Sequence, residues 1–122
     1  MKGSAVTTNL KQDRFSVYAI WQDIDRAIRE DFEMNSALIP SYRSSISDWC
    51  LKWLARIGPA ILKNDRKEID VCLSSIARYS IEPIEMFNKG HMPGTKEETL
   101  KPYYEFNQAY YMLAILLDEN PF

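Results

Sequence analysis

The chain has one histidine, His91, and two cysteines, Cys50 and Cys72, in 122 residues. A Ser-His-Asp or Cys-His arrangement could be built only around His91. That residue lies in a glycine-proline stretch with no Ser or Cys in a recognisable nucleophile context. It reads as an exposed loop histidine rather than a general base. A zinc site needs more Cys and His than this chain holds. A di-iron bundle needs Glu-x-x-His on two helices, which one histidine cannot supply. No EF-hand loop, P-loop or dinucleotide glycine pattern occurs. The expectation is a protein without catalysis, cofactor or metal.

Other scarcities bound the fold. Valine occurs only at Val6, Val17 and Val71, beside abundant Ile, Leu, Met and Ala, which tilts the chain towards helix. Four glycines and six prolines leave long stretches uninterrupted. No apolar run approaches a membrane span, and Met1–Asp13 lacks the apolar core of a signal peptide. With both cysteines inside apolar helical patterns, as buried thiols, the expectation is a reduced, soluble, cytoplasmic protein. The net charge of −2 leaves no basic excess to spend on phosphates, so nucleic acid is not an expected partner. Residues 41–68 alone are mildly basic, at +3, between segments at −1 and −4.

Periodicity then divides one domain. Residues 1–12 read as a loose arm and 13–122 as a single helical domain. Val17, Ile20, Trp21, Ile24, Ile28 and Phe32 repeat at three and four, predicting a helix over 13–34. Pro40 suits a first helical position, and Tyr42, Ile46, Trp49, Cys50, Trp53, Leu54 and Ile57 form the cleanest amphipathic stripe. That spacing puts Trp49 and Trp53 in the core. Gly58-Pro59 is expected to stop or kink this helix, and Pro83 to end or bend the next near Ile81. Asp65–Glu68 and Thr95–Glu98 both match capping boxes. Asn88–Thr95 is the obvious loop, and Pro102 opens the last helix. The predicted fold class is all-α, an irregular antiparallel bundle of four main helices plus short helical turns.

The last helix carries two tyrosine pairs, Tyr103-Tyr104 and Tyr110-Tyr111, seven residues apart. A step of seven returns to nearly the same face, so Tyr103 and Tyr110 share one stripe with Phe106, Leu113 and Leu117. Tyr104, Tyr111 and Ile115 mark a second. One stripe can face a core; the second is covered by another helix or serves as an interface, where tyrosine is common. Acidic residues surround it: Asp23, Asp25, Glu30, Asp31 and Glu33 on the first helix, and Glu97, Glu98, Glu105, Asp118 and Glu119 near the tyrosines. Aromatics anchor and charges steer, so a basic protein is the partner such a surface would suit. The candidate partner-binding residues are Tyr104, Tyr111, Glu105, Asp118, Glu119, Asp23, Asp25, Glu30, Asp31 and Glu33.

In length, charge, helicity and lack of a catalytic motif, the chain resembles the small acidic all-α immunity proteins that bacteria pair with contact-dependent or secreted toxins. The resemblance implies one cognate partner, a basic nuclease-like toxin domain whose active face is occluded. It assigns no individual residue. The alternative is a helical adaptor, chaperone or phage anti-defence protein using the same surface; homo-oligomerisation stays open.

Overall fold

The computed structural model describes residues 13–120. Among these residues four helices make the fold: α1 (Arg14–Asn35), α2 (Ser45–Leu62), α3 (Arg66–Asn88) and α4 (Lys101–Glu119). Short 3-10 turns, Pro40–Arg43 and Glu97–Leu100, precede α2 and α4. The expected arm at 1–12 lies outside the described residues.

Local chemistry starts three of the helices. Asp13, Ser44 and Asp65 each accept from the amide three residues on, at 2.8, 3.1 and 3.1 Å. Each such cap stabilises its helix by about 1 kcal/mol. The Asp65 box forms only halfway, because the Glu68 carboxylate turns to Arg56 on α2. Thr95 caps nothing: a 3-10 turn capped at Lys96 intervenes, and α4 begins at Lys101 with Pro102 in its first turn.

Neither proline ends its helix. α2 runs through Gly58-Pro59 to Leu62, and α3 through Pro83 to Asn88. A proline costs the carbonyl four residues back its donor. Here those residues, Ala55 and Tyr79, are exposed, so water can replace the lost bond. Pro83 itself is buried, so packing offsets part of its cost. The real stop signals stand later. Asn64 and Gly90 adopt positive φ, of 56° and 75°. In each case the next amide reaches back five residues, Asp65 to Ala60 and His91 to Met86, closing the helix end.

The helices run antiparallel in sequence. Trp21 of α1 meets Leu54 and Gly58 of α2, while Arg29 reaches the Leu51 carbonyl at 3.1 Å. Ser80 of α3 accepts from Asn107 of α4, and Arg66 at the start of α3 reaches Leu117 near the end of α4. α4 therefore returns beside α1 and closes the bundle. The core comprises Val17, Trp21, Ile28 and Phe32 from α1, Cys50, Leu54, Ile57 and Ile61 from α2, Ile69, Cys72 and Ile76 from α3, and Phe106, Leu113 and Leu117 from α4.

Two aromatic placements differ from the periodic reading. Tyr42 belongs to the 3-10 turn, not to α2, and is buried there. Trp49 is 52% exposed, with the Lys52 ammonium over its ring, rather than a core residue. A stripe at i, i+4, i+7 is wider than the seam it faces, so its edge members stand clear. Trp53, one turn on, is partly buried beneath the Arg56 guanidinium.

Candidate functional site

α4 separates its two tyrosine pairs cleanly. Tyr103, Phe106, Leu113 and Leu117 are buried, and Tyr110 packs partly against them. The Tyr103 hydroxyl meets Ser44 Oγ at 3.0 Å, which satisfies its polar end inside the bundle. Among the described residues no helix covers the second stripe. Tyr104, Tyr111 and Ile115 are 39%, 53% and 58% exposed, and Met112 beside them is 56% exposed. The edge-on Tyr110–Tyr111 contact, with centroids 5.1 Å apart, ties the outer ring to the inner stripe. Four large apolar side chains thus share one open face of one helix.

This face continues into a groove. Between α1 and α4, Ile24, Ala27, Ile28, Gln108, Ala109 and Met112 line a depression of about 180 Å³, with Glu105 at its edge. Ala27 and Ala109, each with only a methyl group, are both in its lining. Asp23, Ala27, Glu30 and Met34 follow one another along the outer edge of α1 at helical spacing. An apolar strip with an acidic border is the result.

The acidic candidates separate into three groups. Asp23 pairs with Arg26 at 3.3 Å, and Asp25 accepts twice from Arg29 Nε at 3.1 Å. These are short-range helix pairs worth a few tenths of a kcal/mol. Glu30, Glu33, Asp118 and Glu119 are exposed and form no ion pair among the described residues. Asp118 and Glu119 oppose the helix dipole, but Arg66 donates to the Leu117 carbonyl at 3.1 Å and puts a cation at that terminus.

Asp31 and Glu105 form the third group and turn inward. The Tyr42 hydroxyl lies 2.5 Å from Glu105 Oε2 and 3.3 Å from Asp31 Oδ2. Asn35 donates to Asp31 Oδ1 at 2.9 Å. Burial, followed by the neighbouring Asp31, pushes Glu105 up to about 7. Asp31 is held below its ordinary range, chiefly by the hydrogen bond from Glu105. Burial and the two carboxylates raise Tyr42 far above a normal phenol. Burial thus favours a proton on Glu105, while Asp31 is the carboxyl biased towards its charged form. Periodicity could not find this cluster, because Tyr42 and Glu105 are 63 residues apart. Met112 was also missed, although it stands one residue after Tyr111 on the exposed side.

The remaining reactive groups are placed simply. Cys50 and Cys72 are free and buried, and burial pushes their thiols up to about 12 and about 11. His91 is exposed, its amide closing the end of α3. Among the described residues no cluster of three His, Cys, Asp or Glu could hold a metal, and no helix is long and apolar enough to cross a membrane. Fold and surface together define an all-α bundle with one open aromatic face. No family model, curated protein or solved structure matches the chain.

Proposed function

We propose that the chain is a non-catalytic binding protein whose contact surface is the outer stripe of α4 with the groove beside it. The observation that carries this reading is the exposure of Tyr104, Tyr111, Met112 and Ile115 on a single helix face. Rigid aromatic and thioether side chains of this kind gain most when a partner covers them. The border of Asp23, Glu30, Asp118 and Glu119 favours a basic partner, because complementary charge speeds encounter and rejects acidic surfaces. More narrowly, the chain acts as an immunity protein that covers the substrate-binding face of a nuclease-like toxin, in the cytoplasm where that toxin would act. Steric occlusion then suffices, and no chemistry is required of the inhibitor.

Co-expression with a candidate basic, nuclease-like toxin domain, followed by titration calorimetry of the purified pair, tests both levels. Binding should neutralise the toxin and weaken with salt, as steered association does. Tyr104→Ala and Tyr111→Ala should each cost about 2 kcal/mol of binding, roughly thirty-fold in Kd, if they are anchors. Their thermal stability should stay near that of the parent. Unchanged affinity in both variants would remove α4 from the interface. An activity abolished by His91→Ala, with fold and binding intact, would replace the binding reading with a catalytic one.

A further inference from the structure

The cluster at the junction of α1, the first 3-10 turn and α4 stands where the core, through Tyr42, meets the groove, through Glu105. Its position follows from the residues beside it. Asp31 precedes Phe32 on α1, and Glu105 precedes Phe106 on α4. The two phenylalanine rings meet in the core at 5.2 Å between centroids, and Phe32 packs edge-on against Tyr42 at 4.6 Å. With the rings fixed, the preceding carboxyls are carried to the same side of the seam. The Tyr42 ring is buried, so its hydroxyl is delivered between them.

That hydroxyl has one proton and faces two carboxyls. It can donate to one of them, and a link between the carboxyls themselves needs a second proton. The other groups facing the cluster are few. Asn35 donates from α1, and Lys101, one turn before Glu105 on α4, supplies the positive charge felt by both carboxyls. No side chain of α2 or α3 forms an ion pair with either carboxyl among the described residues. One negative charge against Lys101 is balanced. Two negative charges held together in a half-buried seam repel each other.

We propose that Asp31, Tyr42 and Glu105 form a proton-held latch between α1 and α4, closed while one of the two carboxyls facing the Tyr42 hydroxyl keeps a proton and released when both ionise. The seam it secures is the one that carries the open groove, so release loosens that seam. The latch is a property of the free protein and holds or fails independently of any partner. The direction of the pH effect is fixed. Glu105 has a folded pKa of about 7 against an ordinary value of 4.5. The stability it contributes is complete below about 4.5 and is lost as pH rises through about 7. Asp31, shifted downward, acts oppositely and only at lower pH, where its contribution is lost by protonation.

The test compares the full chain with Glu105→Gln, whose amide keeps a donor but cannot ionise, and with Asp31→Asn. The carboxyl carbon of Glu105, followed by NMR, should titrate near neutrality in the parent and fall towards the ordinary carboxylate range in Asp31→Asn. Urea midpoints should decline between about pH 4.5 and 7.5 in the parent, and that decline should be missing from the Glu105→Gln profile. Over the same interval, deuterium uptake in residues 24–31 and 105–112, corrected for intrinsic rates, should rise several-fold in the parent alone. Titration of Glu105 in the ordinary carboxylate range would overturn the latch. So would parallel urea profiles, or a pH-dependent midpoint without any change of uptake at this seam.

Discussion

α1 has two seams, and they are built on opposite plans. Against α2 it presents Trp21, whose ring lies over Gly58 and whose Nε1–H donates to the Leu54 carbonyl at 2.9 Å. The glycine is required there, because a methyl group would land on the indole ring. One large side chain meets one absent side chain, and the seam is filled. Against α4 the same helix presents Ile24, Ala27 and Ile28 to Ala109 and Met112. With alanines on both helices a groove remains there, and polar groups hold its end. A single helix thus joins one neighbour by shape and the other by a hydrogen-bonded cluster beside an unfilled strip. Shape-matched seams resist change, whereas the second kind leaves room for a partner and for a titrating group.

The sharpest way to break this contrast is to empty the filled seam. Trp21→Ala removes a nearly buried indole together with its hydrogen bond to Leu54. It should cost about 3–5 kcal/mol in urea unfolding, the range for large aromatic truncations in a core. A loss below about 1 kcal/mol would show that the α1–α2 seam is not closed by shape. Gly58→Ala adds a methyl where the Trp21 ring already sits. Helix propensity alone would make this change stabilising by roughly 1 kcal/mol. Overpacking should reverse the sign, for a net loss of about 1–3 kcal/mol by the same measurement. A stabilised variant would mean that the ring moves aside cheaply.

Much of this architecture was legible from spacing. The repeats at three and four located all four helices and their buried faces, and the second tyrosine stripe was recognised as surplus to one core face. Caps were half legible: Asp65 does accept from Glu68, but Thr95 does not cap, since a 3-10 turn interposes before α4. The prolines do not act as stops, for a physical reason. A missing donor ends a helix only when the freed carbonyl has no other partner, and Ala55 and Tyr79 can turn to water. Asn64 gave little warning as a stop, because its left-handed backbone is an option for Asn rather than a requirement. The acidic candidates looked alike in sequence. Only the meeting of Phe32 with Phe106 decided that Asp31 and Glu105 would turn inward while Glu30 and Glu119 stayed outside.

The smallest expected effect concerns a third surface of the bundle, where periodic reading and structure disagree most. Trp49 lies on the stripe that buries Cys50, Leu54 and Ile57, yet half of it faces solvent beneath Lys52. A core tryptophan truncated to alanine would cost about 3–5 kcal/mol. An exposed one forfeits only partial burial and a surface cation–π contact of about 0.5–1 kcal/mol. Trp49→Ala should therefore lower stability by roughly 1 kcal/mol or less, far below the loss for Trp21→Ala in the same buffer. Lys52→Ala provides the control, because it removes the cation and leaves the ring. If Trp49→Ala matched Trp21→Ala, α2 would have to be rotated towards its neighbours. The groove between α1 and α4 would then have to be redrawn with it, since Trp21 fixes α1 against α2.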